Sequence, residues 1–146
     1  MTVHTTCCGA TARRNVFEYF NRGWKNRQLP HLPVSASQPT RANNLWAWFS
    51  AQVAVNDHQQ QVIQELRFQC PSCTTLVACC QVLTERFKGA LIADLLQQHP
   101  RDLLMQLLDA VSGIPLSKRD RAWLAICAFL ACVHSQEMVQ QVEMSS

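Results

Sequence analysis

Half of the eight cysteines fall within residues 67–81, which read Arg-Phe-Gln-Cys-Pro-Ser-Cys-Thr-Thr-Leu-Val-Ala-Cys-Cys-Gln, and Pro71 divides the first of them from the rest. A proline donates no amide hydrogen and its ring clashes with the preceding helical turn, so no helix runs through this stretch unbroken. The stretch is read as a joint between a Gln-rich first half and a Leu-rich second half. Ser72 is the expected N-cap of the helix that follows.

Apolar residues at helical spacing on both sides of the joint set the expected fold. In residues 12–24, Val16, Phe17, Phe20 and Trp24 share one face, with Thr11 as N-cap and Gly23 as terminator. Pro30, Pro33 and Pro39, with Ser35 and Ser37, make residues 25–40 a Pro-rich linker. Leu45, Ala47 and Phe49 alternate as a strand would. No hairpin turn signal is evident, however, and Gln59, Val62, Ile63 and Leu66 recur at helical spacing. Residues 43–66 are therefore read as a helix kinked near Asn56 and Asp57.

Beyond the joint, Leu76, Cys80, Leu83, Phe87 and Leu91 continue one face through residues 73–98, as one helix or two joined at Gly89. Pro100 opens the next helix and Gly113 closes it. Ser117 and Asp120 mark the start of the last helix, which is apolar nearly all round from Trp123 to Val133 and so is expected at the centre, with the end of the chain fraying from Gln136. The expectation is an all-α single domain over residues 1–146, a bundle of about five or six helices with the linker after the first helix and a helical core over 41–138.

Composition excludes some classes. At 146 residues with 48% hydrophobic and 16% charged residues, the chain can bury a core and is not disordered. A net charge of +3 is too small for nucleic-acid binding by bulk electrostatics, so such binding needs a local patch. Residues 1–11 are polar and resemble no secretory leader, and the most apolar run is too short to span a bilayer, which needs about 20 residues. A cytoplasmic protein without membrane contact is expected, its cysteines kept as thiols or bound to metal.

Cys70-x-x-Cys73 is the sharpest local pattern. Two thiolates on a turn can share a zinc ion, with Cys79 and Cys80 as candidate further ligands and His99 or the Cys7–Cys8 pair as alternatives to complete the shell, so the expected cofactor is either none or one structural zinc. The same pair suits a thiol-disulfide oxidoreductase, although no strand is evident ahead of it. Cys79, Cys80, Cys127 and Cys132 also lie on apolar helical faces and suit a core, and Cys7 and Cys8 form a further pair near the start of the chain.

Two basic helix starts are candidate nucleic-acid contacts. Arg13, Arg14, Arg22, Lys25 and Arg27 interleave with aromatic rings, and Lys118, Arg119 and Arg121 open a helix that follows a short turn. Trp46, Trp48 and Phe49 are candidate partner contacts, with another protein or a second copy as partner. No phosphate loop or nucleophile motif is present among the four glycines and scattered histidines. The expected function is a non-enzymatic regulatory or adaptor protein that binds macromolecules, nucleic acid among them as a transcriptional regulator. A protein-protein interaction module or inhibitor, and an oxidoreductase using Cys70 and Cys73, are the alternatives.

Overall fold

The structure, a computed structural model, describes residues 10–32, 39–111 and 114–145. Cys7, Cys8, Pro33, Ser35, Ser37 and Gly113 lie outside the described residues. The order is α1 (Ala10–Asn26), β1 (Thr40–Ala42), β2 (Leu45–Val55), β3 (Gln61–Gln69), α2 (Thr74–Phe87), α3 (Ile92–Gln97), α4 (Pro100–Ala110), a 3-10 turn (Leu116–Lys118) and α5 (Arg119–Ser145). The class is α+β, and the expected all-α bundle is overturned by a three-stranded antiparallel sheet in the order β1-β2-β3.

Two local devices put strands where a helix was expected. Asn43 and Asn44 have φ of 49° and 68° and join the paired residues Ala42 and Leu45. That is the two-residue mirror-image turn whose twist matches antiparallel strands, and asparagine tolerates it better than most residues. The second turn is built around Asn56. Its Oδ1 accepts from the backbone N–H of His58 at 2.9 Å and of Gln60 at 3.0 Å, and its own N–H donates to Gln60 O at 2.9 Å.

The helical spacing of Ile63 and Leu66 has its own cause. Gln52 pairs with Glu65 but Val53 pairs with Ile63, so Gln64 is an extra residue bulged out of β3. A bulge resets the alternation by one position. Ile63, Leu66 and Phe68 consequently all face the core at an i, i+3, i+5 spacing.

One sheet face meets α5 and α2. Phe49 of β2 lies 5.7 Å from Phe129 of α5 and 5.9 Å from Phe68, and Phe129 stacks on Phe87 of α2 at 5.2 Å. Helix α5, apolar nearly all round over its first four turns, buries Ala122, Ala125, Ile126, Phe129, Cys132 and Val133 there, and it continues to Ser145 beyond the expected fraying at Gln136. The opposite face is crossed by residues 29–32. Arg67 and Gln69 donate to the carbonyls of Pro30 and Leu29, both at 3.1 Å, and Leu32 N–H donates to Ser50 Oγ at 3.1 Å. His31 Nδ1 lies 3.0 Å from the same hydroxyl, with its ring 3.7 Å from that of Trp48.

Helix α1 runs past Gly23 to Asn26 and lies along α2, tied by a two-pronged contact from Arg22 to Glu85 at 2.6 and 3.1 Å. Arg22 is half exposed, so the pair contributes at most about 1 kcal/mol. After α2 the chain turns at Gly89 with φ of 90°, and Gly89 N–H donates to Ile63 O at 2.7 Å while Ile63 N–H donates to Ala90 O at 3.0 Å. Those bonds extend the edge of β3 and divide residues 73–98 into α2 and α3 at Gly89, the second of the two expected arrangements. Helix α4 opens with Pro100 and is capped by His99, whose Nδ1 accepts from Arg101 N–H at 3.0 Å. Ser117 sits inside the 3-10 turn, and α5 begins two residues later.

Candidate functional site

At the end of β3 the chain bends sharply at Pro71, whose carbonyl accepts from Cys73 N–H at 2.8 Å. Cys73, not Ser72, is the residue that caps α2, and its side chain makes no capping hydrogen bond. Cys73 is partly exposed at the helix N-terminus, while Cys70 is turned into the core at 2% exposure. Arg27 fastens the bend from outside by donating Nη1–H to Cys70 O at 3.2 Å.

All six described cysteines are thiols. Burial pushes Cys80 well above the ordinary thiol value, with a hydrogen bond to Cys70 adding to it. Cys132 is pushed up to about 12 and Cys127 is raised, both by burial. A thiol so raised stays protonated near neutral pH and is a poor nucleophile or ligand. Cys73 is therefore the described cysteine that combines access to solvent with a polar setting.

That setting comes from two distant parts of the chain. Arg121, in the first turn of α5, donates Nη1–H to Asp120 Oδ1 at 2.7 Å and lies near Cys73. The guanidinium is held above its ordinary value mainly by Asp120, against the opposing effect of burial, with Cys73 contributing next. For Asp120, partial burial pushes upward, but the bonds to Arg121 and one from Asn43 outweigh it and leave the carboxyl below its usual value. Arg121 Nε is buried and meets no acceptor among the described residues. The β1–β2 turn thus meets the start of α5 at Asp120, and the start of α5 meets the cap of α2 through Arg121.

The other expected sites are dispersed. Cys79 and Cys80 are fully buried in α2, and among the described residues no group of three or more His, Cys, Asp or Glu side chains is arranged to hold a metal ion. Of the basic residues, Arg22 is bound to Glu85, Arg27 lies 4.1 Å over the ring of Trp24, and Lys25 and Arg119 are exposed. Lys118 lies in the 3-10 turn, and the side chains of Arg13 and Arg14 are outside the described residues. Phe49 is wholly buried in the core and Trp46 and Trp48 are half-buried. No described helix is long and apolar enough to cross a membrane.

Sequence reasoning named Cys73 and Arg121 but assigned them to separate sites, and it missed Asn43. The Asn43-Asn44 pair is a turn signal in its own right. Nothing local announces that it meets Asp120.

Residues 49–142 match the model of a family described as the NifU-like N terminal domain. No curated protein matches the chain. Among solved structures, one described as a hypothetical protein at 2.3 Å resolution aligns at 16% identity over 81% of this chain and 98% of that one, with a TM-score of 0.46. The matched family is tied to iron–sulfur cluster assembly. This overturns the expected adaptor or transcriptional regulator, its protein-binding and inhibitor alternative, and the oxidoreductase using Cys70 and Cys73. Nucleic acid as a partner finds no support.

Proposed function

Since this chain belongs to the NifU-like N terminal domain family, we propose that it works as a carrier in iron–sulfur cluster assembly, with Cys73 as the point where cargo attaches. Members of the family bind clusters transiently through cysteines and act as scaffolds that work with other proteins. The observation that carries the reading to a residue is the partial exposure of Cys73 where the cap of α2 meets the start of α5, while the other described thiols are buried or raised.

Iron–sulfur clusters are generally held by four protein ligands. Among the described residues no group of three donors is arranged to hold a metal ion, and the group beside Cys73 is the guanidinium of Arg121, so they do not fit a complete cage. The role that suits this donor set is to hold sulfur-bearing cargo by one covalent or coordinate bond and pass it to a partner protein that completes the ligand shell. Transfer asks only that the bond at Cys73 be reachable and reversible.

The test is an anaerobic reaction containing ferrous iron, a cysteine-persulfide sulfur source and an apo iron–sulfur acceptor protein. The full chain is expected to speed the rise of the acceptor's visible absorption, and Cys73→Ser to abolish that effect while Cys132→Ser preserves it. Equal rates with and without the chain would refute the reading.

A further inference from the structure

We propose that residues 27–32 form a clamp over the end of β3, and that protonation of His31 releases it and loosens the bend that carries Cys70 and Cys73. The clamp stands on its own contacts, and only its bearing on Cys73 as a carrier rests on the reading above.

The contacts run in order along one short segment. Arg27 Nη1–H donates to Cys70 O at 3.2 Å, Gln69 Nε2–H to Leu29 O at 3.1 Å, Arg67 Nη1–H to Pro30 O at 3.1 Å, and Leu32 N–H to Ser50 Oγ at 3.1 Å. Residues 67–70 are thus gripped from outside directly ahead of Pro71, and Ser50, the cross-strand partner of Arg67, takes the far end.

The grip is poorly matched. Nε of Arg27, Nε2 of His31 and Nε of Arg67 are all buried and meet no partner among the described residues. Each unmatched polar atom offsets part of what the bonds contribute, so this contact set opens more readily than the ring-packed core on the other face of the sheet.

His31 is the part that titrates. Ser50 is wholly buried, and its hydroxyl has one hydrogen to give. With Leu32 N–H already donating to Oγ, the arrangement that serves both groups has the hydroxyl donate to His31 Nδ1 at 3.0 Å, which needs a neutral ring carrying its hydrogen on Nε2. A proton added at Nδ1 turns that acceptor into a donor, strands the serine hydrogen, and charges a ring whose Nε2 is already buried without a partner.

The surroundings do not neutralise that charge. Arg67 on β3, Arg27 beyond the end of α1 and Arg41 on β1, paired with Trp46, are cations, and β2 has no charged residue. The carboxylates of β3 and α2 are engaged elsewhere, Glu65 facing Lys88 at 3.7 Å and Glu85 bound by Arg22 at 2.6 Å. The ring of Trp48, 3.7 Å from that of His31, attracts a cation, but burial outweighs it and lowers His31 from 6.5. Release is therefore favoured as pH falls below 6.5.

The experiment compares the full chain at about pH 7.5 and about pH 5.5, either side of the ordinary histidine value. Amide exchange at Leu32 is corrected for the intrinsic rate, and labelling of Cys70 and Cys132 by a pyridyl disulfide is divided by the rate in the urea-unfolded chain at the same pH. Leu32 exchange and Cys70 labelling should both rise at the lower pH by up to about tenfold, the limit for one proton taken up per opening, while Cys132, buried in α5, stays constant. His31→Gln should abolish both rises, with His31→Asn as the second variant if glutamine is not accommodated. Arg27→Gln should keep the rise at Leu32 and increase Cys70 labelling at both pH values. No rise at Leu32 would overturn the role of His31, and a rise there without one at Cys70 would overturn the link to the bend. An equal rise at Cys132 would mean global unfolding and would overturn the clamp. Cys73 as the cargo point is decided separately, by the acceptor assay with Cys73→Ser, so either idea can fail while the other stands.

Discussion

Gly23 of α1 rides on Val77 of α2: a Cβ placed on the glycine would lie 3.0 Å from Val77 Cγ1, 3.2 Å from Val77 O and 3.0 Å from Gln81 Cβ. The crossing is close because one partner has no side chain. Gly23→Ala improves intrinsic helix propensity by about 1 kcal/mol, but it overpacks a contact with no flexible end to move aside. The expected result is a net loss of about 1 kcal/mol or more in denaturant unfolding, opposite in sign to the propensity scale.

Phe129 joins the sheet to two helices, with Phe49 and Phe87 on either side and no exposure of its own. Truncation leaves a cavity between elements that cannot collapse independently. Phe129→Ala should cost about 3–5 kcal/mol, and Phe129→Leu markedly less, as read from unfolding midpoints at unchanged slope.

These two contacts also show what could be read from the chain. The apolar faces of α4 and of the first turns of α5 were legible because a 3.6-residue period needs no partner to be visible. The sheet was concealed by its bulge: with Gln64 extruded, Ile63 and Leu66 mimic one face of a helix, and only the pairing of Val53 with Ile63 reveals the slip. Gly23 looked like a terminator since local propensity cannot foresee a helix laid against it. The candidate site was half visible. Cys73 stood out by its neighbours in sequence, whereas Asn43 and Arg121 join it through space.

The pH dependence of stability should carry the mark of His31. Burial against Ser50 and Trp48 lowers it from the ordinary value of 6.5, so the folded state holds its proton less tightly than the unfolded one. Stability from this group is complete above 6.5 and is lost as pH falls through 6.5 toward the lower folded value. Urea midpoints of the native chain should drop over that range more than those of His31→Gln, and Trp48 emission should change with the same midpoint. Parallel curves for the two proteins would contradict this.

Asn44 tests the turn that brings Asn43 to Asp120. At φ of 68° a glycine fits without penalty, while a β-branched residue is strained by about 1–2 kcal/mol. Asn44→Gly should keep or raise the melting temperature, and Asn44→Val should lower it. If the turn positions the site, Asn44→Val should also slow the rise of the acceptor's visible absorption in assays run well below its melting temperature.

Asn43 meets Asp120 and Cys73 meets Arg121, so three separate stretches of the chain are linked at the start of α5. Unravelling any one of the three breaks that linkage, so nothing held there survives in an unfolded molecule. By mass action, occupancy then becomes a brace for the native state. The burdened protein should outlast the empty one under heat, and the first segment to peel away should let the burden go.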